Sequence, residues 1–145
     1  MIYQTDSQFP TEINHWGCYF MSLNERLATI FSLPFTYDRI LGIYRDARSS
    51  LIVDDEVAIL DPQKFCDMVV GFGKVVFVGK VDAFFSCTLG EFEILCFHKE
   101  GASFNHFCSG DGHGLVAYDP WSVDGSDSVK NGSVIGKRLY RLGGS

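Results

Sequence analysis

A chain of 145 residues, 46% hydrophobic and 21% charged, has the length and composition of one globular domain around one core. Its net charge is −6, and the only adjacent basic pair is Lys137-Arg138; no basic face is available for phosphate neutralisation, which argues against a nucleic-acid partner. No apolar run reaches the roughly 18 residues of a membrane helix, and Met1–Pro10 has neither the basic nor the apolar region of a signal peptide, so the expectation is a cytoplasmic protein without a membrane partner, although one exported by another route would read the same way.

In chain order, residues 1–13 read as an extended leader. From Phe20, apolar residues recur at Leu23, Leu27, Ile30 and Phe31. That stripe predicts a helix of about 14 residues, with Cys18 at its first turn and Pro34 closing it. A second helix is predicted over Tyr37–Ala47, with Thr36 as its N-cap and Ile40, Leu41 and Tyr44 on one face. Asp61-Pro62 begins a third, Gln63–Val70. The back half then changes character. Val75–Val81, Phe92–His98, Phe104–Ser109, Leu115–Tyr118 and Gly136–Leu142 are short apolar runs bounded by turn residues, which read as strands. Ser109–Gly114 is a Gly-rich turn between two of them. Ser122–Ser133, rich in Ser, Asp and Gly, reads as an exposed, mobile loop. Helices followed by an antiparallel sheet predict an α+β fold, and without a repeat or composition break the chain reads as a single domain over 1–145.

Cysteines fall at 18, 66, 87, 96 and 108, an odd count with no CxxC pair. Cys66, Cys87, Cys96 and Cys108 lie among apolar residues, where a free thiol acts as a small hydrophobe, so a reduced compartment is expected. Cys18 differs because of its place at a helix start. Unpaired N–H groups and the positive end of the helix dipole favour a thiolate there and can also stabilise an oxyanion. Gly17 beside it leaves room for a substrate backbone.

A partner for that thiolate is suggested by the segment Phe104–Trp121. His106 stands near the start of one strand, Asp119 at the end of the next, and the two are nearly equidistant from the Asp111-Gly112-His113 turn. In an antiparallel pair they would lie side by side. Asp119 could then hold one ring nitrogen of His106 and leave the other for a nucleophile.

A helix-borne Cys, a strand-borne His-Phe about 90 positions later and a Tyr-Asp-Pro after a Gly-rich turn resemble the papain-like cysteine peptidases, nearest the bacteriocin-leader-processing peptidases and related bacterial and phage proteins. The resemblance runs from about Asn14 to Leu142 and implies a papain-like fold, with N-terminal helices packed on the sheet. It makes Cys18 the nucleophile, His106 the general base and acid, and Asp119 the orienting residue. It also implies a peptide, amide or isopeptide substrate, with peptidoglycan stem peptides among the options. The acyl-enzyme route it implies uses no cofactor and no metal. Such peptidases carry a Gln six residues before the Cys as oxyanion donor; that position is Glu12 here, and Asn14 is the nearest amide. Tyr19, not Gly, follows Cys18. These departures keep open a second reading, a catalytically inactive binding or interaction protein on the same scaffold.

Other chemistries compete for the same residues. Cys96, His98, His106 and Cys108 form a symmetric pattern that would bind zinc if two neighbouring strands placed them on one face. The spacing is not that of common zinc sites, and buried thiols are the commoner outcome. Trp16 and Trp121 are candidates for cleft walls, and His15 and His113 for surface histidines.

Overall fold

The computed structural model describes residues 1–143. Their elements are α1 (Thr11–Trp16), α2 (Cys18–Phe31), α3 (Tyr37–Ser49), α4 (Pro62–Val70), β1 (Val75–Val81), β2 (Glu91–His98), β3 (His106–Gly110), β4 (Val116–Tyr118), α5 (Asp127–Asn131) and β5 (Ser133–Leu142). The architecture is α+β, with N-terminal helices against a C-terminal antiparallel sheet of order β1-β5-β2-β3-β4. The last strand therefore inserts between the first two.

Local chemistry sets the helix limits. Thr36 caps α3 by accepting the Arg39 N–H at 3.3 Å, and Asp61 caps α4 by accepting the Lys64 N–H at 3.0 Å. Helix α2 ends before Pro34 is reached. Ser32 takes a left-handed conformation (φ 54°), and the Leu33 N–H returns to the Ala28 carbonyl at 2.8 Å. Along α2, Phe20, Leu23 and Leu27 are fully buried, each contributing about 2 kcal/mol of burial.

Two faces of the sheet have different cores. Phe92, Ile94 and Tyr140 pack with Phe20, Leu23, Ile40 and Phe65 in the main core beneath the helices. On the other face Leu95, Phe97 and Cys108 form a small cluster with Val129 of α5 and Val134. That face also holds a buried ion pair, Lys137 Nζ to Glu93 Oε1 at 2.9 Å, with both side chains excluded from solvent. Helix α2 is fixed to β3 by the Ser109 hydroxyl on the Ser22 carbonyl (3.0 Å) and the Ser22 hydroxyl on the Phe107 carbonyl (3.2 Å).

Two expected loops are more ordered than their composition suggests. The leader contains α1, and it is tied to the segment after β4: the Gln4 N–H donates to Pro120 O (2.8 Å), the Thr5 hydroxyl to Trp121 O (2.8 Å) and the Tyr118 hydroxyl to Ile2 O (2.7 Å). The Ser122–Ser133 segment contains α5, capped by Ser126, whose hydroxyl accepts the Val129 N–H at 3.3 Å. The leader is held by contacts distant in sequence, which local patterning does not record, whereas α5 is held from nearby, its cap Ser126 donating its N–H to Asp119 Oδ2 at 2.8 Å.

Candidate active site

Cys18 is the first residue of α2, with Gly17 as N-cap and no side chain capping the helix. The first intrahelical bond is made by the Met21 N–H to the Gly17 carbonyl at 2.8 Å. The N–H groups of Cys18, Tyr19 and Phe20 precede it and have no partner within the helix. The thiol thus stands beside three backbone donors at the positive end of a 14-residue dipole.

His106, the first residue of β3, is buried, and so is Asp119, one residue past β4. His106 Nε2 and Asp119 Oδ1 are 2.7 Å apart. They are not ladder partners: Ser109 pairs Tyr118 and, across a bulge, Gly110 pairs Val116, and neither register sets 106 opposite 119. Continuing the Ser109–Tyr118 register by one residue places Asp119 opposite Cys108 and diagonal to His106, still on the same face. The contact expected from the hairpin therefore forms, but diagonally.

Asp119 is held from several sides. Its Oδ1 also accepts the Trp121 N–H (3.0 Å), and its Oδ2 accepts the Ser126 N–H (2.8 Å). Burial works against its charge, yet the bond to His106 and these two backbone donors hold its carboxyl below the ordinary 3.8. His106 responds in the opposite sense. Burial would lower its pKa, but Asp119 and the approaching Cys108 and Cys18 thiols raise it from 6.5 to about 12. The well-formed hydrogen bond on the ring is the one to Asp119 at Nε2, which leaves Nδ1 as the nitrogen available to a thiol.

The other four thiols are held in the neutral form. Burial pushes Cys66 up to about 12 and Cys108 to about 11, and it raises Cys96 as well. Cys87 departs from the apolar setting expected of it. It is half-buried in a loop, 3.7 Å from Glu93 Oε1, and burial followed by that carboxylate raises it to about 12.

Cys18 and His106 line a cavity of ≈ 670 Å³ with Trp16, Tyr19, Phe77, Phe104, Phe107 and Trp121 as its aromatic walls. Of the three predicted cleft residues, Trp16 lines this space; Asn14 and Gly17 do not. The Asn14 Nδ2 donates to the carbonyls of Gln4 (2.5 Å) and Asp6 (3.0 Å), so its amide is committed to fastening the leader. Gly17 serves helix packing. A Cβ there would meet the Ile13 carbonyl oxygen at 2.6 Å, so this glycine admits α1's own backbone and leaves no room for a substrate. Glu12 lies 3.9 Å from Arg48 of α3. His15 is exposed and lines the cavity, and His113 is exposed on its turn.

Gln4 had no local signal in the sequence. It is 1% exposed and lines the cavity. Its Nε2 donates to Ile13 O (3.4 Å) and Asn14 O (3.2 Å), while its Oε1 is buried without a partner. Phe77 and Lys80 likewise carry no local signal, and Arg138 stands out in the sequence only as half of the Lys137-Arg138 pair. They reach the cavity from β1 and β5, strands far from Cys18 in sequence.

The proposed zinc quartet does not assemble. Cys96 pairs with Phe107 and Phe97 with His106, which puts Cys96 and His106 on opposite faces of the sheet. His98 Nδ1 lies 3.0 Å from Asn105 Oδ1 instead. Among the described residues, the potential ligand atoms that do gather are those of His106, Cys108 and Asp119, within 4.8 Å of one another. Both Asp119 oxygens and His106 Nε2 already serve the hydrogen bonds above.

A family model described as "Protein of unknown function, DUF261" matches residues 1–142. The chain belongs to the DUF261 family. No curated protein and no solved structure matches it. The DUF261 description assigns no activity to the site. Among the described residues, no helix is long and apolar enough to cross a membrane.

Proposed function

We propose that the chain is a papain-like cysteine hydrolase that cleaves a peptide, amide or isopeptide bond through Cys18, His106 and Asp119. The observation that carries this reading is the buried His106–Asp119 bond of 2.7 Å on a ring that Cys18 also approaches from an uncapped helix start.

Each residue has a step to perform. In the resting site His106 already holds the proton given up by Cys18, and Asp119 stabilises that imidazolium. The Cys18 sulfur attacks the substrate carbonyl carbon, and the carbonyl electron pair moves onto oxygen, facing the free N–H groups of α2. Collapse of that intermediate breaks the C–N bond, and the departing amine takes the proton from His106. Water, deprotonated by the now neutral His106, then cleaves the thioester, releasing the acid and restoring the Cys18–His106 pair. The cycle uses no cofactor. The aromatic walls suit a peptide chain, including a peptidoglycan stem peptide.

One observation favours the inactive binding protein as a second reading. With the Asn14 amide committed to Gln4 and Asp6, oxyanion stabilisation rests on backbone N–H groups alone. An activated ester separates the two readings. With N-acetylglycine p-nitrophenyl ester, the hydrolase releases a stoichiometric burst of p-nitrophenolate and gains an acetylglycyl mass on Cys18. Both signals vanish in Cys18→Ala and His106→Ala. A folded wild-type chain with no burst and no adduct is the binding protein.

A further inference from the structure

We infer that the cavity beside Cys18 and His106 recognises a carboxylate on its peptide ligand, through the paired cations Lys80 and Arg138. This rests on the proposed function for the word peptide and for the adjacent chemistry, but the cation pair is a feature of its own.

Lys80 and Arg138 face each other across the β1–β5 ladder, and both line the cavity. Like charges directly opposite each other on a sheet cost stability, so the fold gains nothing from this pairing. Among the described residues neither is ion-paired. Two acids also line the cavity. Asp127 is already engaged by Lys99 at 2.5 Å, and Glu56 sits exposed on the Asp54–Ala58 turn. Two unpaired cations thus stand in an aromatic-walled space on a chain whose net charge is −6. Apolar walls make such charges more effective toward an anion than they would be in open water.

Both cations are aimed by specific structure. In β1, Phe77 pairs Tyr140 and Gly79 pairs Leu139, so Val78 is an extra residue and the strand bulges. Gly79, at φ +134°, supplies the backbone conformation. In an unbulged strand Phe77 and Lys80 would point to opposite faces, and the bulge brings both to the cavity. Arg138 is held with its guanidinium 5.3 Å from the Phe107 ring centre, and Phe107 adjoins His106 in β3. A planar fork beside a mobile ammonium fits a carboxylate, from either an acidic side chain or a free chain end.

Both tryptophans of the chain line the cavity, so their fluorescence reports its occupancy. The titrants are acetyl-Ala-Glu-Ala-amide, acetyl-Ala-Gln-Ala-amide, acetyl-Ala-Ala-Ala with a free carboxylate, acetyl-Ala-Ala-Ala-amide and inorganic phosphate, against the wild type, Lys80→Met and Arg138→Met. At least one carboxylate peptide should bind about tenfold more tightly than its neutral counterpart, and the member that does so identifies the source. Lys80→Met, at an exposed position, should remove most of that preference. Equal binding of charged and neutral peptides, no saturable binding of either charged peptide, a preference unchanged in Lys80→Met, or phosphate binding as tightly as the favoured peptide each overturns the inference. Cys18 alkylation by iodoacetamide, a neutral reagent, is measured on the same samples. Fast alkylation without a carboxylate preference fails the inference alone; a preference with an unreactive Cys18 fails the hydrolase reading alone.

Discussion

At the residue scale, the charge on His106 governs the site. Asp119 receives three hydrogen bonds and stays anionic, and the ring it holds stays protonated across the neutral range. The link to stability has a definite sign. His106 is raised from 6.5 to about 12, so its contribution is complete below pH 6.5 and is lost as pH climbs toward 12. Asp119 is held below 3.8, so its contribution is present above that value and is lost in acid. Urea unfolding at pH 5.5 and 8.5 should therefore show the wild type losing stability on the alkaline side, with His106→Gln losing less. Equal losses in both proteins would contradict an imidazolium in the folded state.

At the element scale, the junction of α1 and α2 sets where Cys18 points. Gly17→Ala puts a methyl group 2.6 Å from the Ile13 carbonyl oxygen, and backbone cannot yield as a side chain does. The expected cost is about 1–3 kcal/mol in urea denaturation, together with slower reaction of Cys18 because its helix start is displaced. A neutral Gly17→Ala would mean that the junction is softer than its geometry implies. Elements were legible in the sequence where a helical stripe or a β-branched apolar run bounded by turn residues marks them. The stripe from Phe20 to Phe31 gave α2 its observed span, and Thr36 and Asp61 marked helix starts by the bonds they make. Helix α5 was not legible because five residues carry no stripe, and its start is fixed by Ser126 beside Asp119. Cys18, His106 and Asp119 could be picked out from helix position and turn symmetry. The roles of Asn14 and Gly17 could not, because each depends on a contact absent from local patterning: the Gln4 and Asp6 carbonyls for one, the Ile13 carbonyl for the other. Lys80 was not legible because the bulge at Val78–Gly79 inverts its face, and a bulge breaks the period-two pattern of a strand.

At the scale of the whole molecule, the sheet carries its site at one end and a second polar centre elsewhere. Glu93 accepts from Lys137 (2.9 Å) and from the Gly112 and Gly114 N–H groups (3.0 and 2.9 Å), while Lys137 also donates to Phe85 O at 2.6 Å. This network fastens the β1–β2 and β3–β4 connections to the face opposite the main core. Removing one partner strands a buried charge. Lys137→Met should therefore cost about 3–5 kcal/mol, and adding Glu93→Gln should recover part of it. Equilibrium unfolding of the single and double variants measures both; a single variant as stable as the wild type would show that the pair does not organise the fold. The leader acts at the same scale, joining Asn14 before the nucleophile to Pro120 beside Asp119. It couples the two halves of the site.

The central claim is that His106 activates Cys18, and the rate of Cys18 alkylation by iodoacetamide, followed by mass spectrometry from pH 5 to 9, tests it most directly. The four other thiols are raised by burial and serve as internal references. Cys18 alone should react quickly at pH 6, where an ordinary thiol is almost wholly protonated, and His106→Ala should abolish this low-pH reactivity. A Cys18 that reacts no faster than an ordinary free thiol, or one indifferent to His106→Ala, would contradict it.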